Sequence, residues 1–201
     1  MMCASGQESC LCEIAYPPWN TDKYKGFTFT WVTTPSTTSL SFTMSRFHQY
    51  YYDHLLAIHN HLRQELKACL RNLPKATQPT AVKKSLRDVL LFCRHLQGHH
   101  DLEEAVVFPA FAAVTDISHW SNSHESLDHT LDTIRKLAQK GVDQDGQEFD
   151  TEKETLVEEL QKLSDIVLPH LSDEEFLSNP EESIKLWPTE KDMRRAFPWM
   201  G

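Results

Sequence analysis

The sequence predicts an all-α protein, an antiparallel up-down-up-down four-helix bundle, on three observations. Glycine is scarce, with six among 201 residues, so little interrupts a helical run. Long stretches rich in Leu, Glu, Lys and His carry apolar residues at helical spacing. The segment His99-His100-Asp101-Leu102-Glu103-Glu104 also has a counterpart in His170-Leu171-Ser172-Asp173-Glu174-Glu175. Each sets a His and a Glu four residues apart, one turn along the same helical face. Two such helices facing each other present nitrogen and oxygen donors to a pair of metal ions, as di-metal bundles do.

Each element has its own signal. Residues 1–44 read as an irregular, partly extended arm packed on the bundle. There Pro17-Pro18 breaks structure, Gly26 permits a turn, and Phe27 to Val32 alternates with strand-like period. The first helix starts from Ser45 as N-cap and ends before Pro74. The second runs from about Thr80 to Phe108, where Pro109 ends or kinks it. The third runs from Ser118 to Lys140, with Gly141 as its C-cap. The fourth starts at Thr151, which forms a capping-box pattern with Glu154, and stops before Asn179-Pro180. The bundle is thus 45–178. Residues 179–201 form a short C-terminal extension, with one more helix after the cap-like Thr189.

Composition narrows the function. A net charge of -9 opposes nucleic-acid binding, which needs a basic surface. No stretch is long and apolar enough to span a membrane, and the first residues lack a signal-peptide pattern. Cys3, Cys10, Cys12, Cys69 and Cys93 are odd in number and irregularly spaced, a poor disulfide framework. Cys69 and Cys93 fall within helices and read as small buried apolar residues; the other three, in the arm, read as incidental thiols. A reducing, cytoplasmic setting is expected.

Histidine is plentiful, with eleven in the chain, and helical phase sorts the candidates. His59 shares its face with Tyr52, Leu55, Leu56, Leu62, Arg63 and Leu66, an inward set, whereas His61 lies with His54, Gln64 and Glu65 and faces water. His124 lines up with Ile117, Trp120, Leu127 and Leu131, while His119 and His129 lie among polar neighbours. His170 lies with Leu163, Ile166, Val167 and Glu174. On the second helix, His99 with Glu103 and His100 with Glu104 are alternative registers that phase alone does not separate. His95, one turn before His99, is a further candidate. An inward set of four histidines and two carboxylates is costly to bury without a cation.

These residues resemble the hemerythrin-like proteins, the HHE cation-binding family, across about 45–178. His99 to Glu104 followed by Val107-Phe108-Pro109 looks like that family's second-helix signature. His59 with Leu62 and Arg63, His124-Glu125 with Leu127, and His170 with Glu174 look like the other three, and the aromatic-rich arm is similar to that of fungal members. The resemblance implies a bundle holding two non-haem iron ions, oxo- or hydroxo-bridged. His59, His99, His124 and His170 would be terminal ligands, and Glu103 and Glu174 bridging carboxylates. It favours Glu103 over Glu104 and Glu174 over Glu175, leaving the second Glu of each pair as an acceptor beside the site or in solvent. One departure stands out. Oxygen-carrying hemerythrins place another His one turn before the third-helix ligand, where this chain has Trp120, so one iron is expected to keep an open or water-filled position.

The donor set suits iron, manganese or zinc, with iron implied by the resemblance. The leading expectation is a protein that binds iron and small oxidants (dioxygen, nitric oxide or peroxide) in sensing or handling oxygen or iron. The alternative is a di-iron oxygenase or oxidase acting on a small organic substrate. A pocket beside the irons would favour the enzyme, and a site sealed by Leu, Phe and Trp would favour gas binding.

Overall fold

The computed structural model describes residues 46–146 and 149–200. The arm, its strand-like run, its three cysteines and Ser45 lie outside the described residues. Those residues are all-helical and fall within one compact unit, 42–201.

Four long helices make the body: α1 (Arg46–Asn72), α2 (Pro79–Leu102), α4 (Ser118–Asp143) and α5 (Asp150–Ser178). Short α3 (Phe108–Ala112), α6 (Pro180–Leu186) and α7 (Glu190–Ala196) complete it. Packing runs in a ring, α1 on α2, α2 on α4, α4 on α5 and α5 back on α1. None of the described helices is long and apolar enough to cross a membrane.

Three layers stack along the bundle. An aliphatic core holds Leu62, Leu66, Leu86, Val89, Leu96, Leu127, Leu131, Leu160, Leu163 and Val167. An aromatic cluster holds Phe47, Tyr51, Phe108, Phe111, Trp120, Trp187 and Phe197. Every long helix carries its inward histidine between its aliphatic stretch and the residues beside the aromatic cluster. Along α1 and α4 the order is aromatic, histidine, aliphatic; along α2 and α5 it is reversed. Apolar burial on both sides thus fixes the height of a polar layer on all four helices.

The second helix departs from the sequence expectation. After Leu102 the chain enters a π-helical segment, Glu103–Val107, and the Phe108 amide bonds the Glu103 carbonyl five residues back. Pro109 has no N–H and its ring crowds the preceding turn. The wider turn before it accommodates the ring, so α3 continues where a stop or kink is expected. Pro169 similarly sits inside α5, one residue before His170.

Two cap assignments are corrected. Gly141 is helical, not a C-cap: a Cβ there would meet Leu86 Cδ1 at 2.6 Å and Phe149 Cε2 at 2.7 Å, so its role is close packing. The left-handed turn comes later, at Asp145 (φ 54°) and Gly146 (φ 73°). Thr151 and Glu154 form no capping box, because α5 already begins at Asp150 without a side-chain cap. Thr189 does cap α7, accepting from the Asp192 amide. The unanticipated α6 is capped by Asn179, whose Oδ1 accepts from the Glu181 and Glu182 amides, both at 3.0 Å. Residues 179–200 are therefore part of the packed body, with Trp187, Met193 and Phe197 buried.

Gly146→Ala is expected to cost about 1–3 kcal/mol. Its φ is strained for an L-residue, and a Cβ would collide with the Pro79 carbonyl oxygen, a backbone atom. Urea denaturation should show the loss; an unchanged midpoint would mean the turn at Asp145 and Gly146 rearranges freely.

Candidate metal centre

All six sequence-selected residues meet in the middle layer. His59, His99, Glu103, His124, His170 and Glu174 are each buried. His59, His99, Glu103 and Glu174 offer ligand atoms all within 4.8 Å of one another, and so do His100, Glu103, His124 and His170. His100 therefore joins His99 in the cluster. Adjacent residues on a helix point about 100° apart, so the inward direction of α2 falls between them. The phase that left two registers open was reporting a helix that uses both.

The carboxylates divide the space between two groups of histidines. Glu103 Oε1 lies 3.0 Å from His99 Nε2 and 3.8 Å from His59 Nε2, while its Oε2 lies 3.6 Å from His124 Nε2. Glu174 Oε2 lies 3.6 Å from His59 Nε2, and its Oε1 lies 3.3 Å from His170 Nε2. Each carboxylate thus turns one oxygen toward each group. In the second group, His124 and His170 face each other Nε2 to Nε2 at 2.8 Å, and the His100 ring stacks on His124 with centroids 4.1 Å apart. Two nitrogens bound at about 2.1 Å to one ion at a right angle would be about 3.0 Å apart.

Hydrogen bonding leaves this layer unsatisfied. Both oxygens of Glu103 and of Glu174, both nitrogens of His100, Nε2 of His59 and of His99, and Nδ1 of His170 are buried without a hydrogen-bond partner. Buried polar atoms are rarely left so. This convergence of unpaired nitrogen and oxygen donors fits a cation and does not fit a dry core.

Outer contacts orient the rings. His59 Nδ1 donates to Glu175 Oε1 at 2.9 Å, and Arg63 Nη1 donates to the same oxygen at 2.5 Å. His124 Nδ1 donates to Glu104 Oε1 at 3.2 Å. Each bond leaves the Nε2 lone pair turned inward, the tautomer a metal ligand needs. The second Glu of each motif is thus an acceptor beside the site. His95 is not near it: its Nδ1 bonds Glu65 on α1. Tyr51, buried with an unpartnered hydroxyl near Glu103 and Glu174, was missed. It stands eight residues before His59 with buried Leu55 between, and the seven-residue spacing had pointed to its neighbour Tyr52.

The buried carboxylates and imidazoles shift one another's protonation. Burial pushes the Glu174 carboxyl well above its usual range, reinforced by the nearby Glu103. Burial acts the same way on Glu103, but His99 and His59 outweigh it and hold that carboxyl low. For His59 burial is likewise outweighed, by the nearby Glu103 and Glu175 carboxylates, so its pKa is raised. Burial and the neighbouring imidazoles push His100 down to about 2 and His170 down to about 3. These neutral imidazoles have the protonation state of ligands.

Trp120 is buried on the aromatic side of the site. Its Nε1 donates to Asp173 Oδ2 at 2.7 Å, an oxygen that also accepts from His119 Nε2 at 2.6 Å. Its ring packs on Phe108, and Phe108 lies 4.7 Å from the His124 ring. His100, from α2, stacks on the other side of the site against His124, with both of its ring nitrogens buried and unpaired.

One family model matches residues 51–181, described as the hemerythrin HHE cation-binding domain. Comparison with curated proteins and with solved structures returned no match.

Proposed function

We propose that this chain, which belongs to the hemerythrin HHE cation-binding domain family, holds two iron ions in an up-down-up-down bundle and binds a small oxidant there: dioxygen, nitric oxide or peroxide. The observation that carries this reading is the split of each buried carboxylate, one oxygen to His59 and His99 or to His59 alone, the other to His124 or His170. His59 and His99 would serve one ion, His100, His124 and His170 the other, with Glu103 and Glu174 between them. When bound, iron supplies redox chemistry and an electrophilic position for the small ligand.

The chain's own residues set the conditions. Glu175, braced by Arg63, fixes the His59 ring, and Glu104 fixes His124. Phe108 and Trp120 keep bulk water from the second group. Glu104 and Phe108 also line a groove of about 630 Å³ with Pro109, Ala112 and Ile117. The Phe108 ring stands between that groove and His124, which favours a diatomic over a bulky organic substrate. Cys69 and Cys93 are free and buried, their thiols pushed up to about 12 by burial. They suit the reducing, cytoplasmic setting we assign.

Anaerobic loading with ferrous iron, followed by elemental analysis and optical spectra before and after air, tests the proposal. Two irons per chain are expected; one zinc, or no metal after loading, would overturn it. Glu175→Gln should weaken iron affinity by about 10–100-fold, the usual cost of losing a group that orients a ligand. Affinity unchanged in a competition titration would mean that packing alone orients His59.

A further inference from the structure

His61 points outward, as its phase requires, and there it meets His95. On α1, His61 Nε2 lies 3.3 Å from Glu65 Oε1, one turn on. From α2, His95 Nδ1 lies 2.9 Å from Glu65 Oε1 and 3.0 Å from Oε2. The two imidazole rings are 5.7 Å apart, and the three residues offer donor atoms all within 4.8 Å of one another.

We propose that His61, Glu65 and His95 form a second, exchangeable binding site for a divalent first-row transition cation of the zinc type. Three arguments support it. Donor atoms bound at about 2.1 Å to one cation, at angles between square and tetrahedral, lie about 3.0–3.4 Å apart. The His–Glu separations already span that range, so binding needs only small rotations. Two imidazoles and one carboxylate are the donors such a cation takes, and three protein ligands leave a position for water. The site is also held by the packing of α1 on α2, so the rings are partly fixed before a cation arrives.

Access separates this site from the buried one. The side chains of His61, Glu65 and His95 are 46%, 19% and 34% exposed, where the ligands of the buried centre are closed off. Glu65 also lines a hollow of about 180 Å³ with Ser85 and Asp88 of α2. An ion here exchanges with solvent, while one in the middle layer must wait for the bundle to open. A net charge of -9 raises the local cation concentration at either.

The two sites share no residue, so the readings fail separately. The test starts from full-length protein loaded with iron and freed of excess metal. Zinc is then titrated at neutral pH by calorimetry, with iron counted before and after. The parent should take up one further zinc per chain with its iron retained. His95→Ala and His61→Ala should each weaken that zinc by at least about tenfold, since a lost ligand costs no less than a lost outer partner. His129→Ala, at an exposed and distant histidine, should match the parent. The proposal is overturned by no further zinc, by equal uptake in His95→Ala and parent, or by zinc bound only as iron leaves. If the parent fails to hold iron at all, the zinc that depends on His95 is still counted, and only the buried-centre reading falls.

Discussion

Replacing Glu103 by glutamine is expected to empty both halves of the buried centre at once. Glu103 is the residue common to the two ligand groups, with one oxygen toward His59 and His99 and the other toward His124. An amide keeps the shape but removes the charge that balances two cations. His59→Ala and His124→Ala each touch one group and should leave about one ion per chain. Stability should follow occupancy. A ligand at a thousandfold excess over its Kd adds about 4 kcal/mol to the native state, so Glu103→Gln should melt about 8–16 °C below the loaded parent. Measured metal-free, the order should narrow or reverse, because glutamine spares the apoprotein a buried anion. Full iron in Glu103→Gln, or a melting curve for the parent that chelation leaves unmoved, would remove Glu103 from the bridge.

Trp120→Ala should be the most damaging change outside the ligand set. The side chain is fully buried against Phe108 and Phe111, and its indole N–H is bonded to Asp173 across α4 and α5. Removing a buried aromatic costs about 3–5 kcal/mol, and Trp120→Phe, which loses mainly the hydrogen bond, about 1 kcal/mol. Chemical denaturation of the two variants separates packing from bonding. Equal losses would place the contribution in the Asp173 bond, not in the aromatic cluster. Metal content per folded chain should stay at the parent level in both, since no ligand atom is removed.

What the sequence disclosed follows from how regular each helix is. On α1, α4 and α5 the apolar stripe keeps one phase, so His59, His124 and His170 could be read against Leu62, Leu127 and Val167, and His61 and His129 set aside. On α2 the inward direction falls between His99 and His100, so phase alone had nothing to choose between them, and the phase break after Leu102 hid how the helix continues past Pro109. The cap errors have a different origin. Thr151 with Glu154 and Gly141 carry the right residue types, but the helix ends were set by packing: Phe149 is buried against Gly141, and the chain turns only at Asp145 and Gly146. The C-terminal segment was underrated because its aromatic residues are few and irregularly spaced, and their partners, Phe47, Tyr51 and Phe111, lie far away in the sequence. The tie from Glu175 to His59 spans 116 residues, a pairing that no local pattern announces.

The π-helical segment acts as a gear change within one continuous rod. Upstream of it, residue numbers map onto the inward face by one rule; downstream, the same rule is late by one residue, a rotation of about 100°. The histidine half of α2 and its aromatic half are therefore indexed separately. A single-residue deletion between Glu103 and Val107 would leave the His99–Glu103 spacing untouched and let the segment close into an ordinary α-helix, with Phe108 and Phe111 still facing the cluster; an insertion or deletion in the regular turns on either side has no such slack and would turn them away. The one-residue excess keeps two incompatible counts, four to the carboxylate and five to the aromatic wall, in force on the same helix.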